Sequence, residues 1–349
     1  MCRKGAWPEP LIPAVWRGFI YLAGASAEPS WILETYQTIK MTPTPTFDLT
    51  NCMLCPRNCG ANRAAGHVGY CRVPAQLIAA RAGLLQYEEP CLIGSKGSGA
   101  VFFSGCNMGC IFCQNHEISG TDPGAALPPG KEITTQELSQ AFLRLQEQGA
   151  ANINLVTPTH YLHQILPALE TARRDGLSIP VVYNTSAYEK ASMLRLLDGL
   201  IDVYLPDLKY YSEALAVEYS RAPHYFETAS AAIAEMVRQC PEPVLDADGQ
   251  MKRGVIVRHL ALPGQAEDSR RILRYLYEVY GDQIYISILN QYTPMPAVKK
   301  HPLLSRTLTE EEYDQLVDYA LALGVENGFI QEGGTASESF IPVFDGSGL

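Results

Sequence analysis

The chain has 349 residues, a mass of 38.4 kDa, a pI near 5.2 and a formal net charge of −10. Its length suits one large α/β domain with appendages, and its 47% of hydrophobic residues excludes a largely disordered protein. The negative charge, without a basic stripe, argues against a nucleic acid as the partner. Ten cysteines are too few for a disulfide scaffold, and most of them fall in two clusters, which favours metal binding in a reducing, cytoplasmic location.

Residues 1–50 match the rest of the chain poorly. Two basic residues precede the apolar run 11–25, which ends in small residues like those of a secretory cleavage site. Arg17 interrupts this run, and its roughly 15 residues are too few to span a bilayer. We therefore expect either a poorly ordered extension or an upstream start codon with the functional chain beginning near Met41, followed by a proline-stiffened linker, and no membrane association. A targeting role is the alternative.

Residues 51–98 carry the first cysteine cluster, with the spacing C-x2-C-x3-C-x11-C. Its members are Cys52, Cys55, Cys59 and Cys71. Four thiols so close together, with glycines between them, predict a small metal-binding unit. Zinc would make it a structural clip, whereas a second iron–sulfur cluster would make it an electron relay or an added cofactor site. The spacing decides between neither, and free cysteines are a third possibility; Arg57 and Arg63 are expected to be ordinary solvated loop residues.

The second cluster has the spacing C-x3-C-x2-C and follows an apolar run, 101–103, that predicts a buried strand. Its members are Cys106, Cys110 and Cys113, with Phe112 directly before the last. Three thiolates can hold three corners of a cubane iron–sulfur cluster, and the iron left without a protein ligand suggests catalysis rather than electron storage. The alternatives are zinc with a fourth ligand such as His116, or inert buried thiols.

From residue 99 onward, short apolar runs alternate with amphipathic helices, a pattern that predicts βα units around a parallel sheet. The predicted strands are 101–103, 153–156, 180–183, 201–205, 254–258 and 284–288. Six units make an open barrel rather than a closed one. The predicted fold class is therefore α/β, a partial (βα)6 TIM-type barrel over residues 99–349, with the small cysteine-rich metal-binding unit before it and a C-terminal extension after it.

Polar residues recur where the predicted strands end, and one arginine lies inside the fifth strand. These residues are Thr157, Thr159, Asn184, Ser186, Asp207, Lys209 and Arg258. Since the carboxyl ends of parallel strands meet at the edge where barrels build their active sites, this repetition predicts a common binding site. For each residue alone, the alternative is an ordinary polar loop residue.

The three-cysteine stretch resembles the cluster motif of the radical S-adenosylmethionine (SAM) enzymes. The resemblance implies a [4Fe–4S] cluster whose open iron is occupied by SAM, and reductive cleavage of SAM to a 5′-deoxyadenosyl radical. It also implies that the polar strand ends hold SAM, and that Phe112 packs near the adenine. A reductant such as flavodoxin or ferredoxin is then required.

Within that superfamily, Asp207-Leu208-Lys209 looks like the D-x-K motif of the glycyl-radical-enzyme activases, the group of pyruvate formate-lyase-activating enzyme. The segment from Arg258 to Pro263-Gly264 is similar to the same group, and the chain from Asn51 resembles an activase-like branch. The resemblance implies a large partner, a glycyl radical enzyme, whose backbone glycine is the substrate.

One departure from that group is Thr157-Pro158-Thr159-His160, which stands where activases carry Gly-Gly-Glu. SAM is therefore expected to be held differently, with His160 and His163 as additional candidates or simple polar caps. The rival functions are radical SAM modification of another peptide, metabolite or cofactor precursor, and a non-catalytic iron–sulfur electron carrier.

Overall fold

The computed structural model describes residues 20–22, 47–120, 128–331 and 342–349. Most of the expected N-terminal extension and linker, and part of the expected C-terminal extension, therefore lie outside the described residues. Three residues of the N-terminal extension form β1 (Ile20–Leu22), which pairs antiparallel with the last strand of the chain.

The strands form one sheet in the order β1-β11-β10-β9-β7-β6-β5-β3-β2-β4, and β8 pairs with β9 alone. Neighbours from β11 to β3 run parallel, whereas the pairings of β1, β2, β4 and β8 are antiparallel. The remaining strands are β2 (Leu77–Leu85), β3 (Ser98–Phe103), β4 (Lys131–Ile133), β5 (Ile153–Val156), β6 (Val181–Thr185), β7 (Val203–Pro206), β8 (Val244–Leu245), β9 (Met251–Leu260), β10 (Tyr285–Leu289) and β11 (Gly328–Ile330).

The helices lie between these strands. They are α1 (Pro90–Ile93), α2 (His116–Ser119), α3 (Thr135–Glu147), α4 (Leu162–Arg174), α5 (Ala191–Leu194), α6 (Glu213–Ser220), α7 (Tyr225–Gln239), α8 (Ala266–Tyr280) and α9 (Glu310–Leu323). Capping boxes at Thr134 and Thr309 open α3 and α9, because each threonine hydroxyl and a glutamate three residues later satisfy free backbone N–H groups. Within the described ranges, no helix is long and apolar enough to cross a bilayer.

The predicted α/β class and its mostly parallel sheet are confirmed, since each of the six predicted strands overlaps a parallel strand. The seventh parallel strand, β11, was not predicted. It has only three residues, too few for a clear pattern in the sequence.

The outer face of the sheet packs against the long helices. Alternate strand residues such as Tyr183 and Val257 share a large core with Phe142 of α3, Leu169 of α4 and Leu276 of α8. The residues between them therefore point to the opposite, inner face, because side chains alternate along a strand.

The inner face curves around α1. Residues of β6, β7, β9, β10 and β11 meet in one cluster with Cys91 and Leu92 of α1; these are Val182, Val203, Leu205, Met251, Ile256, Tyr285 and Phe329. Residues of five strands that gather in one cluster with a single short helix indicate a sheet that is concave toward that helix. This curvature is that of a partial barrel, and α1 fills one end of its interior.

Candidate active site

The three-cysteine loop begins immediately after β3, at the carboxyl edge of the parallel strands. Gly105 lies in the left-handed region at φ +85°, where a Cβ would approach the carbonyl oxygen of Cys71 to 2.5 Å. Only glycine fits this turn without displacing the neighbouring chain. The turn delivers Cys106 to the rim of the barrel, as the sequence predicted.

The three thiols of this loop are free, half-buried and close together. Burial, and then the sulfurs of Cys113 and Cys110, raise the pKa of Cys106 well above its ordinary value. Burial, and then Cys110, raise the pKa of Cys113 to about 12. Without a metal such a site keeps its thiols protonated, whereas bound iron would favour the thiolates.

Two hydrogen bonds prepare these sulfurs for a negative charge. The backbone N–H of Met108 donates to Cys106 Sγ at 3.4 Å, and the hydroxyl of Ser220 donates to Cys110 Sγ at 2.9 Å. Tyr210 Oη lies 2.6 Å from Ser220 Oγ and donates to it, since the proton of Ser220 faces the sulfur. Hydrogen bonds of this kind stabilise cluster-bound thiolates.

The donor set fits a cubane cluster. Across the parts of the chain that the structure describes, no three His, Cys, Asp or Glu side chains surround the position of a single metal ion. A cubane does not require that arrangement, because each thiolate binds a different iron and the sulfurs stay apart. Three clustered thiols on one short loop, two of them hydrogen-bonded, are the appropriate ligands, and Cys106, Cys110 and Cys113 would hold the cluster.

Beside this loop, Asp207, Lys209, Arg258 and Asn184 form a connected charged group, which we call the cradle. Asp207 Oδ2 accepts from Lys209 Nζ at 2.7 Å and Asp207 Oδ1 from Arg258 Nε at 2.7 Å. A second nitrogen of Arg258 donates to Asn184 Oδ1 at 2.7 Å. The structure therefore brings together four of the polar residues predicted at the strand ends.

The electrostatics of the cradle are governed by its cations. Burial alone would raise the pKa of Asp207, but Arg258 and then Lys209 outweigh burial and hold it below its ordinary value. Burial would lower the pKa of Lys209, and Asp207 more than compensates. The carboxylate and both cations are thus charged at neutral pH.

Three other predicted residues lie around the same rim. Thr157 adopts a left-handed backbone at φ +59°, strained for a β-branched residue, and its N–H donates to the carbonyl of Asn184 at 2.9 Å. The carbonyl of Ser186 accepts from Tyr225 Oη at 2.8 Å. Phe112 is buried against Tyr292, with ring centroids 5.9 Å apart.

Thr159 and the two histidine candidates bond to groups outside the cradle. The Thr159 hydroxyl donates to the buried carboxylate of Glu189 at 2.5 Å. His160 Nε2 donates to the carbonyl of Ser104 at 2.8 Å and His163 Nε2 bonds the carbonyl of Ala75 at 3.1 Å. Burial lowers the pKa of His160 to about 3 and that of His163 to about 4, so both rings are neutral. Their contacts hold backbone segments in place.

The first cysteine cluster packs beside the turn that precedes the three-cysteine loop, where the backbone of Cys71 approaches Gly105. Cys52, Cys55 and Cys71 are buried and Cys59 is exposed. Burial raises the pKa of Cys55 to about 12, with smaller contributions from Cys71 and Cys59. The four thiols are therefore neighbours in space as well as in sequence.

The expectation that Arg57 and Arg63 are solvated was wrong. Arg63 is 1% exposed and donates to the carbonyls of Pro74 and His160. Arg57 lies 3.7 Å above the ring of Tyr70, and its Nε donates to the carbonyl of Asn107 in the three-cysteine loop at 2.7 Å. Arg57 therefore ties the first cluster to the three-cysteine loop, and Arg63 ties it to the segment after β5.

Sequence reasoning missed three further groups of the site. Tyr225 Oη lies 2.8 Å from the carbonyls of both Ser186 and Asp207, and so joins the ends of β6 and β7. Ser220 bonds Cys110, as described above. Glu88 and Glu89, between β2 and α1, approach Arg258 from below. Only Glu88 and Glu89 had a hint in the sequence, because two adjacent carboxyl groups stand directly before Pro90.

The chain has a relative in Methanocaldococcus jannaschii, protein MJ0674, that is 27% identical over 277 residues, covering 77% of this chain and 74% of the relative. SuiB of Streptococcus suis, solved with its precursor peptide SuiA, is 14% identical with a TM-score of 0.44, covering 65% of this chain. A domain of pyruvate-formate lyase-activating enzyme from Bacteroides vulgatus is 14% identical with a TM-score of 0.36, covering 50% of this chain and 92% of that domain. This chain spans only 46% of SuiB. Both structural likenesses are too distant to bear on function.

The sequence pattern of the Radical SAM superfamily matches residues 100–276, just over half of the chain. The matched range begins within β3 and ends within α8, so it contains the three-cysteine loop and the whole cradle. The [4Fe–4S] cluster and SAM are the cofactors that this family implies. The chain belongs to the radical SAM superfamily.

Proposed function

We propose that this protein is a radical SAM enzyme in which Cys106, Cys110 and Cys113 hold a [4Fe–4S] cluster and the cradle holds SAM. When bound and reduced, such a cluster would supply the one electron that splits SAM into methionine and a 5′-deoxyadenosyl radical, and this radical would take a hydrogen atom from the substrate. The observation that carries the proposal is the pairing of three free thiols on one loop, two of them hydrogen-bonded, with a charged group beside them.

The cradle suits the amino-acid end of SAM. One of the three N–H groups of Lys209 donates a hydrogen bond to Asp207, and the other two suit a carboxylate. Asp207 contributes the negative charge that a sulfonium or an ammonium requires. Arg258 fixes the orientation of Asp207, because a guanidinium bonded to both Asp207 and Asn184 cannot rotate freely.

The remaining predicted rim residues would shape the same pocket. Phe112 offers an aromatic face to an adenine, and Thr157 and Ser186 offer polar groups to a ribose. Thr159 would act indirectly, since its hydroxyl already donates to Glu189.

The finer proposal is activation of a glycyl radical enzyme, with flavodoxin or ferredoxin as reductant. Its support is the likeness of Asp207-Leu208-Lys209 and of the segment from Arg258 to Pro263-Gly264 to the activases. Hydrogen abstraction from another peptide, a metabolite or a cofactor precursor is the alternative. An organic radical detected by electron paramagnetic resonance on a glycine of a candidate partner, after incubation with SAM and reductant, would distinguish the two.

The first cysteine cluster is proposed as a second metal centre, holding either zinc or iron–sulfur. Cys52, Cys55, Cys59 and Cys71 would be its ligands. Because Arg57 bonds the three-cysteine loop, loss of this metal would also disturb the SAM site.

The direct test is anaerobic reconstitution with iron and sulfide, followed by dithionite and SAM. We expect 5′-deoxyadenosine from the wild type and none from Cys110→Ala, with an unchanged circular dichroism spectrum, since the loop lies outside the sheet. Cys240→Ala, which removes another buried thiol at the end of α7, is the matched control and should retain the activity. A fully loaded wild type that leaves SAM intact would instead support an electron carrier, and normal turnover by Cys110→Ala would contradict the ligand assignment.

A further inference from the structure

Below the cradle, the interior of the barrel carries polar side chains whose bonding capacity is not used. Asn154 is completely buried, and neither its amide nitrogen nor its oxygen has a hydrogen-bond partner among the described residues. Its neighbours Ile153 and Leu155 belong to the outer core, so Asn154 points inward. Its register partner is Val182, a member of the inner cluster around α1.

Ser287, on β10, is a second buried polar residue of the interior. It is completely buried, and its hydroxyl finds no partner in the described parts of the chain. Ile286 and Ile288 pack in the outer core, so Ser287 also points inward. It stands directly opposite Arg258 in the pairing of β9 with β10. Burying a polar group without a partner is costly, so two such groups on the inner face of the sheet indicate a polar ligand on that side.

Two carboxyls complete this space. Glu88 Oε2 lies 3.4 Å from Arg258 Nη1, and Glu89 Oε2 lies 4.0 Å from the same nitrogen. Glu89 Oε2 is too far for a hydrogen bond there and has none elsewhere in the described structure. Arg258 and Lys209 share Asp207, so two cations stand against three carboxyl groups, and Arg258 is the cation nearest Glu88 and Glu89. We call Glu88, Glu89, Asn154 and Ser287 the barrel floor.

We propose that the barrel floor binds a primary ammonium group of the substrate. This inference rests on the radical SAM function proposed above and names the chemical class of its substrate. An ammonium carries three N–H donors and no acceptor, which matches the free carboxylate oxygen of Glu89, the amide oxygen of Asn154 and the hydroxyl oxygen of Ser287. An anion would meet an excess of carboxyls instead. Because α1 fills the interior from beneath, the substrate would enter past the cradle and leave its reacting carbon near the rim.

The protonation of the floor agrees with a cationic ligand. Burial raises the pKa of Glu88 to about 8, Arg258 opposes this, and Glu89 and Asp207 add to it. Cys91 on α1 also faces the pair, and its pKa is raised by burial, so it stays a neutral thiol. Near pH 7 Glu88 is therefore mostly protonated, and its ionisation would leave one negative charge for a ligand to balance, because Arg258 and Lys209 offset only two of the three carboxylates. An arriving ammonium favours ionised Glu88, so binding should release up to one proton and tighten as the pH rises from 7 toward 8.

The test is calorimetric titration of the anaerobically reconstituted enzyme, with SAM present and no reductant. The probes are n-butylammonium, Nα-acetyl-lysine amide and n-butanol, in phosphate and in MOPS, two buffers of different ionisation enthalpy. We expect an amine to bind with proton release and n-butanol not to bind. Saturable binding of n-butylammonium alone would identify the substrate as a small amine. Saturable binding of the lysine derivative would identify it as a peptide with an amine side chain. Either result supports the floor.

The variants make this test specific. Glu89→Gln should weaken amine binding at least tenfold, which is about 1.4 kcal/mol. Asn154→Leu replaces the amide with an apolar side chain and should also weaken amine binding. This variant provides the test if Glu89→Gln fails to fold. Glu132→Gln, an exposed carboxyl on β4, is the matched control and should bind like the wild type.

Absence of binding by both amines, equal binding of n-butanol, or unchanged affinity in Glu89→Gln and Asn154→Leu would overturn the inference. The same preparation is assayed with dithionite for SAM cleavage. Cleavage without amine binding defeats only this inference. Failure to cleave SAM defeats the proposed function, and the calorimetry still reports on the floor because it requires no radical.

Discussion

Ser220 sets the electrostatic surroundings of Cys110. Its hydroxyl accepts a hydrogen bond from Tyr210 and donates one to the sulfur, so the two hydroxyls polarise one another. A hydrogen bond to a cluster thiolate stabilises the reduced, more negative state of the cluster more than the oxidised state.

Ser220→Ala should therefore lower the reduction potential of the cluster. A loss of about 1.4 kcal/mol of preferential stabilisation corresponds to about 59 mV for one electron. Redox titration of the reconstituted protein, followed by electron paramagnetic resonance, measures the shift. Ser220→Thr keeps a hydroxyl and should restore most of the potential. Ser230→Ala, which removes a hydroxyl bonded within α7, should leave it unchanged. An unaltered potential in Ser220→Ala would show that this hydrogen bond does not reach the cluster.

Which single residues could be predicted depended on the distance of their partners along the chain. The three cysteines and Asp207 with Lys209 were found because their relation is local, a spacing of a few residues. Arg57 and Glu88 were missed because Arg57 contacts Asn107 from 50 residues away and Glu88 contacts Arg258 from 170 residues away. No pattern in a single sequence reports such contacts. The tyrosine that joins β6 to β7, Tyr225, begins a helix and looks there like an ordinary core residue.

At the scale of elements, periodicity was a good guide where strands are buried and parallel. β5 and β10 are continuous apolar runs bounded by polar residues, and both were predicted within one residue. β2 was not predicted, although it is the longest strand after β9. It pairs antiparallel with β3 and β4, and its arginine and glycine hide any simple alternation. α1 has only four residues, too few to show a helical period, yet it fills the interior of the barrel.

The cysteine-rich unit is the element whose chemistry is most directly measurable. Replacing Cys106, Cys110 and Cys113 together by alanine should remove the SAM cluster and leave the metal of the first cysteine cluster in place. Mass-spectrometric metal analysis should then find about one zinc or about four irons per chain, according to which metal the unit holds. The reason is that its four thiols come from residues 52–71 alone and do not depend on the three-cysteine loop.

Cys91→Ala, added to that triple variant, is the control, since Cys91 lies in the inner cluster and should not affect the metal content. Adding Cys55→Ala instead should abolish the remaining metal. A triple variant that is metal-free from the start would mean that these four thiols are not ligands.

At the scale of the whole molecule, the buried titratable groups act on stability in opposite directions. Three histidines are held neutral: burial lowers the pKa of His259 to about 4, and His160 and His163 behave in the same way. Burial raises the pKa of Glu189 to about 7 and that of Glu88 to about 8. As the pH falls, the histidines favour the unfolded chain, which binds protons first, while the carboxyls favour the folded one. The change in unfolding free energy on acidification is therefore the loss caused by the histidines less the gain from the carboxyls.

The contribution of one histidine can be isolated with His259→Asn. In the fold, His259 Nδ1 donates to the carbonyl of Leu208 at 2.8 Å, a bond that the asparagine amide can replace without titrating. Because the folded pKa of about 4 lies below the unfolded value near 6.5, stability is complete above pH 6.5 and is lost progressively down to about pH 4. That interval corresponds to about 3 kcal/mol, so between pH 7 and pH 4 the variant should lose about 3 kcal/mol less unfolding free energy than the wild type, measured by anaerobic urea denaturation.

The comparison cancels any acid sensitivity of the metal centres, which both proteins share. The exposed His67→Asn should follow the wild type, and a wild-type pH dependence in His259→Asn would mean that this ring is protonated as easily in the fold as in the unfolded chain.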